Sequence, residues 1–164
     1  AFVYKLLRDT MGAKKVIWAP GVKDADITDY HIDALVRFLR PGAFVIQLPD
    51  ELDEEDPWSR SAFETFNILE AARDLNGEFL QNAILPDPLN TRVKSKDFVA
   101  SYVNWYVCNG AVIASEFGDM QRDAEVLSVL KEIYPGREIV MMNTDPIGEV
   151  GGGIHCATHE QPKV

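Results

Sequence analysis

One pattern occurs twice in this chain, about seventy residues apart, and it limits the available folds more than any other feature. The pattern is an apolar strand, a tight turn, a returning strand, an amphipathic helix and a further strand. In the first occurrence Ile32, Ala34, Val36 and Phe38 alternate as a strand does, so that His31 and Asp33 share a face. Arg40-Pro41-Gly42 turns the chain and Ala43 to Leu48 returns. A helix capped by Ser59 follows, with Phe63, Phe66 and Ala71 towards its buried face and Gly77 at its end, and then a strand over 79–85. In the second occurrence Ser101 to Cys108 alternates with Tyr102, Asn104, Tyr106 and Cys108 on one face. Asn109-Gly110 is the strongest two-residue hairpin signal there is, and Ala111 to Phe117 returns. A helix over 119–134 points Ala124, Leu127, Leu130 and Ile133 inward; Pro135-Gly136 stops it, and a strand over 138–142 follows.

A unit of this kind cannot bury its apolar faces alone and needs neighbours. The chain holds the tail of one unit (a helix from Val3 to Met11 and a strand from Lys15 to Trp18) and two full units at about 31–85 and 101–142. The first strand of another spans about 151–162. Such an α/β chain does not close on itself. At 164 residues it is long enough for one domain with a substantial core.

The formal net charge of −10 argues against nucleic acid and anionic membranes as partners and is compatible with a cationic substrate. No apolar run approaches the roughly 18 residues a membrane span needs. The chain begins with Ala1 rather than Met, which fits a removed leader or a missing beginning. Its two cysteines do not make a disulfide framework. Cys108 reads as an inert thiol in a buried strand, which together with a free Cys156 fits a reducing, cytoplasmic compartment. The acidic run from Asp50 to Asp56 reads as a solvated connection, and Leu89 to Asp97, with Arg92, Lys94 and Lys96, as a mobile loop near the mouth of a site.

The chemistry concentrates at the end of the chain. Gly151-Gly152-Gly153 precedes Ile154-His155-Cys156-Ala157-Thr158, and three glycines let a ligand come close to the backbone. Read as a strand, 154–158 sends Cys156 to one face and His155 and Ala157 to the other. A thiol so presented is a candidate nucleophile; the plainer reading is a small buried residue beside a turn. His31 and Asp33 two apart are in most proteins a hydrogen-bonded structural pair, and a nearby nucleophile changes that reading. His155, Cys156 and His159 are zinc-ligand types, but strand geometry separates them and no fourth ligand is evident, so no metal is expected.

The stretch GGGIHCATHEQP resembles the C-terminal signature of the agmatine deiminase and Porphyromonas-type peptidylarginine deiminase family, whose nucleophilic cysteine sits in such a segment. Thr28-Asp29-Tyr30-His31-Ile32-Asp33 resembles a second family signature, with Tyr30 where glycine is usual. Ser101-Tyr102-Val103-Asn104-Trp105-Tyr106 with the Asn109-Gly110 turn resembles a third. At the C-terminal signature Gly153 stands where Asn is common, and His159 and Glu160 replace glutamines. The resemblance implies part of a pseudo-five-fold propeller of ββαβ units, the pentein fold, with this chain as its C-terminal portion. It implies Cys156 as nucleophile, His31 as proton shuttle, Asp33 as the carboxylate that grips a guanidinium, and Asn104, Gly152 and Gly153 as substrate contacts, with no cofactor. The implied reaction converts agmatine to N-carbamoylputrescine and ammonia, a step of putrescine and polyamine biosynthesis. A variant would take peptidyl-arginine. The competing expectation is a non-catalytic piece that needs an N-terminal half or assembles as an oligomer.

Overall fold

The computed structural model describes residues 2–25, 28–95 and 97–161. A first helix, α1 (Phe2–Met11), is followed by a single 3₁₀ turn (Ile32–Ala34) and the strands β1 (Val36–Arg40) and β2 (Ala43–Leu48). Then come α2 (Pro57–Ala71), β3 (Gln81–Pro86), β4 (Tyr106–Cys108), β5 (Ala111–Glu116), α3 (Met120–Ile133), β6 (Glu138–Asn143) and the short α4 (Asp145–Gly148).

The repeated pattern becomes two three-stranded sheets of the same design. In each, a hairpin is extended by a parallel strand that returns after the helix: β1 antiparallel to β2 and β2 parallel to β3, then β4 antiparallel to β5 and β5 parallel to β6. Gly42 at φ 78° and Gly110 at φ 81° make the two hairpin turns, a backbone region open to glycine without steric cost. All six residues of β2 are buried. Its alternation divides them between two cores. Phe44, Ile46 and Leu48 pack with Leu35, Ala62 and Leu69 under α2, while Val45 joins Leu85, Tyr102, Trp105, Val112, Phe117, Val126 and Leu130 in the second unit. One face of the first sheet is therefore closed by its own helix and the other by the next unit.

The seam between the units is the segment 100–105. Gln47, buried near the end of β2, donates from Nε2 to Ala100 O at 3.0 Å and accepts from Tyr102 N at 2.6 Å. Ser101 Oγ donates to Ala34 O at 2.8 Å, and Arg37 donates to Trp105 O with its guanidinium 5.3 Å from the Trp105 ring centre. These bonds occupy the backbone of 100–105, so the expected strand over 101–108 shrinks to Tyr106–Cys108. Cys108 is half-buried rather than sealed in a core.

Other expectations shift for local reasons. Asp56, not Ser59, caps α2: its carboxylate accepts from Trp58 N and Ser59 N ahead of Pro57, which suits the first helical position. The helix ends at Ala71, well before Gly77, and its buried face is Ser59, Ser61, Ala62, Thr65 and Leu69; Phe63 and Phe66 are half-buried and Ala71 is exposed. On α3 the buried residues are Val126 and Leu130, and Ala124 is exposed. Lys15 to Trp18 forms no strand, because no described strand lies beside it to take its hydrogen bonds. α1 buries none of its residues and leaves Phe2, Val3, Leu6 and Met11 exposed. The loop after β3 is tied down. Leu89 N and Asn90 N donate to Asp119 at 2.9 and 3.0 Å, and Arg92 bridges Asp145 and Glu116 O at 2.7 and 2.6 Å. Lys96 and residues 26, 27 and 162 lie outside the described residues.

Candidate active site

In both sheets the parallel strands end on one side, at Leu48 and Pro86 and at Glu116 and Asn143. Open α/β sheets place their ligands beyond the carboxyl ends of such strands. β1 runs against β2, so the residues that lead into β1 lie at this same end, as do those that follow β6.

Three separate segments meet there. The 3₁₀ turn brings Asp33, the seam brings Asn104, and the glycine run brings His155 and Cys156. Asn104 is 1 % exposed and sits at the centre. Its Nδ2 donates to Asp33 O and to Asp33 Oδ2, both at 3.1 Å, and lies 3.4 Å from Cys156 Sγ. Its Oδ1 accepts from His155 N at 2.9 Å. Asp33 Oδ2 is 2.6 Å from His155 Nδ1 and 3.5 Å from Cys156 Sγ. The thiol is solvent-exposed while its neighbours are half-buried or buried.

Burial on its own would raise the Asp33 carboxyl. The hydrogen bond and charge of His155, with smaller contributions from Cys156 and Asn104, outweigh it and hold Asp33 below the usual carboxylate range. The site thus contains an ionised carboxylate beside an accessible thiol, in a protein region where a cation would be attracted to the first and positioned over the second.

Two strand expectations fail here, and both failures serve the site. Residues 154–157 form turns, with Ala157 N bonded to Gly153 O at 3.2 Å and Thr158 Oγ1 to Ile154 O at 2.8 Å. His155 and Cys156 therefore do not alternate away from each other. Both reach Asp33. Likewise His31 and Asp33 do not share a strand face, since 32–34 is a 3₁₀ turn. His31 is exposed, its N donates to Thr28 Oγ1 at 3.3 Å, and among the described residues its imidazole makes no hydrogen bond. It precedes Asp33 by two residues, at most about 7 Å of chain.

Gly153 is buried, and a Cβ on it would fall 2.2 Å from Asn104 Oδ1, so this glycine is what lets the carboxamide close over the cluster. A Cβ on Gly152 would meet Cys156 Cβ at an ordinary 3.8 Å. His155 is the residue that strand reasoning misplaces; its position next to Cys156 in sequence is the signal for it once the strand is dropped. Asp33, His155 and Cys156 meet here, but among the described residues no group of three His, Cys, Asp or Glu is arranged so that it could hold a metal ion.

The profile of Porphyromonas-type peptidyl-arginine deiminases matches residues 2–162. The chain belongs to that family. It is 34% identical over 178 residues to the agmatine deiminase of Medicago truncatula, covering 96% of this chain and 47% of that protein. To the agmatine deiminase of Pseudomonas aeruginosa it is 32% identical over 180 residues, covering 99% and 48%. The agmatine deiminase of Enterococcus faecalis superposes with a TM-score of 0.84 at 25% identity, covering 98% of this chain and 48% of that one. The chain spans about half the length of the relatives it matches. The chain forms part of a pentein propeller.

Proposed function

We propose that this chain supplies the nucleophile and part of the substrate cradle of a guanidine hydrolase that converts agmatine to N-carbamoylputrescine and ammonia. The observation that carries the reading is the contact of Cys156 Sγ with Asp33 Oδ2 at 3.5 Å and Asn104 Nδ2 at 3.4 Å. Family membership and agmatine deiminase relatives support it from outside the site.

A guanidinium carbon is resonance-stabilised and weakly electrophilic, so the attacking sulfur has to be a thiolate. Asp33 accepts N–H bonds from the substrate and holds its plane across Sγ, the recognition that a two-oxygen carboxylate suits. Asn104 Nδ2 supports the sulfur. Cys156 adds to the guanidinium carbon, and His31 as imidazolium gives its proton to the departing ammonia. The C–N bond breaks and an S-alkylthiouronium remains. His31, now neutral, takes a proton from water as the oxygen adds to the same carbon. Collapse then expels the thiolate and leaves the carbonyl of the product. One water is consumed and one ammonium released. Gly152 and Gly153 give the substrate room at the backbone.

The reading includes a contribution from outside this chain. The matched relatives are about twice as long, so the isolated chain is expected to be inactive until an N-terminal portion completes the cavity, within one polypeptide or by association. The intact protein is expected in the cytoplasm, where thiols stay reduced; among the described residues no helix is long and apolar enough to cross a membrane.

Labelling with 2-chloroacetamidine, a small guanidinium-shaped cation, tests the site in the chain itself. Cys156 should react faster than Cys108, and His31→Ala should slow it. Equal labelling of both cysteines would refute the assignment. Turnover of agmatine against a C-terminal arginine peptide by the completed protein separates the two substrates.

A further inference from the structure

We propose that His155 is a positioning residue: it fixes the Asp33 carboxylate so that Oδ2 faces the protein and Oδ1 is left for the substrate's guanidinium. The inference rests on the guanidine-hydrolase reading and assigns a residue that the reaction scheme leaves unused.

Three polar groups converge on one oxygen, two of them N–H donors. His155 Nδ1 lies 2.6 Å from Asp33 Oδ2, Asn104 Nδ2 3.1 Å and Cys156 Sγ 3.5 Å. Among the described residues nothing donates to Oδ1. A carboxylate accepts through both oxygens, so this division leaves an oriented pair of lone pairs for an incoming cation. The ionised Asp33 is an acceptor only, which assigns the proton of this contact to Nδ1 of His155. A His31 proton shuttle and a His155 anchor then divide between two rings the work that one imidazole cannot do at two places.

His155 is itself anchored at a second point. Its N donates to Asn104 Oδ1 at 2.9 Å and to Asn104 O at 3.2 Å, so the ring pivots on a backbone already fixed to the seam. Packing does not explain the residue. Its side chain is 35% exposed, whereas the neighbouring Ile154 is buried, at 6%. What the ring contributes is a directed N–H.

Two variants separate a directed donor from mere bulk. Asn at 155 can place its Nδ2 where Nδ1 stood, whereas Phe keeps the ring and removes the donor. In the full chain, the rate of Cys156 labelling by 2-chloroacetamidine relative to neutral 2-chloroacetamide reads recognition of a planar cation by Asp33. His155→Phe should lower this ratio by about tenfold or more, and His155→Asn should keep it within about threefold of the native value, the scale that misplacing a reacting group produces. The acid limb of the ratio should move to higher pH in His155→Phe, because the hydrogen bond and charge that oppose the burial of Asp33 are gone. An unchanged ratio and acid limb in His155→Phe, or equal loss in both variants, would overturn the proposal. A native chain with no preference for the amidine would instead overturn the guanidine reading. The role of His155 is then decided by the carbon-13 titration of the Asp33 carboxyl, which should move up further in His155→Phe than in His155→Asn, where the hydrogen bond is kept and only the charge is lost; equal movement, or none, refutes it.

Discussion

Replacing Gly153 by alanine tests whether the cluster is held by close contact. The added Cβ would lie 2.2 Å from Asn104 Oδ1, 2.7 Å from its Cγ and 3.1 Å from its Cβ. Backbone strain is not the issue, since Gly153 does not have a positive φ. Either Asn104 or the 151–156 segment has to shift by about 1 Å to reach an ordinary contact. Asn104 is buried, and its carboxamide is committed to Asp33 and to His155 N. The shift therefore sacrifices the neutral bond to His155 N, worth about 1 kcal/mol, and weakens the one to the carboxylate, worth about 1.5–3 kcal/mol. Alanine returns about 0.4–1 kcal/mol by stiffening the unfolded chain. The net cost is about 2–3 kcal/mol. Because the segment lies at the edge of the fold, the cost is read where it falls, as local opening. Exchange of the His155 amide hydrogen should accelerate by about 30- to 150-fold, with 1.4 kcal/mol per tenfold. In the Asn104→Gly background, where the obstructing carboxamide is gone, the same alanine should cost little. A His155 exchange rate within about threefold of the native chain, or an equal cost in both backgrounds, would refute the close-contact account.

Tyr102 is fully buried and its hydroxyl donates to Asp123 Oδ1 at 2.7 Å, so its own ionisation is pushed far up, by burial first and then by Asp123. Tyr102→Phe should cost about 1.5–3 kcal/mol in urea unfolding, and a change under 0.5 kcal/mol would contradict it. Tyr30 sits at φ 66°, so Tyr30→Gly should be more stable than Tyr30→Ala by about 1 kcal/mol: both lose the ring and only glycine loses the strain. Asp33 and Asp87 should have opposite acid profiles. Asp33 is held below its unfolded value, so its stabilisation is full above about pH 4 and is lost as pH falls through the folded value. Asp33→Asn should then lower the urea midpoint at pH 6, and the gap should close in acid. Asp87 is raised, by burial first, although Gln47 donates to its Oδ1 at 2.6 Å. Asp87→Asn should raise the midpoint at pH 7 and lose that advantage as pH falls through and below about 4, where native Asp87 becomes neutral in both states. Equal slopes for the two variants would contradict both assignments.

Much of the scaffold was legible in the sequence, because hairpin turns and helix stops are local. Pro41-Gly42 and Asn109-Gly110 fall where the two hairpins turn, and β2, β3, β5 and β6 lie within two residues of their expected limits. Sequence reasoning places the α2 cap at Ser59 because Asp56 belongs to the acidic run from Asp50; a capping side chain ahead of a proline at the first helical position is the better local signal. The segments that carry the site were less legible. Residues 31–35, 101–105 and 154–158 all show strand-like alternation, and none of them is a strand. The structure makes them turns and irregular segments, and 101–105 is buried at every position rather than alternately; residue-type periodicity alone does not distinguish such segments from a pleat.

A common physical cause connects those three departures with the site itself. A strand is defined by a neighbour that takes its backbone hydrogen bonds. Here the bonds are taken by side chains from the other segments: Gln47 holds Ala100 and Tyr102, Ser101 holds Ala34, and Asn104 holds Asp33 and His155. Released from ladders, these backbones can turn, and turning lets His155 and Cys156 reach the same carboxylate although they are neighbours in sequence. In a pleat, neighbours would face opposite ways. The cluster also draws on the first unit, the seam and the C-terminal segment at once, so no single unit of the repeat can form it. The chemistry is a property of the docked units, and the buried Asn104, which touches all three segments, is the residue through which docking and thiol environment are coupled.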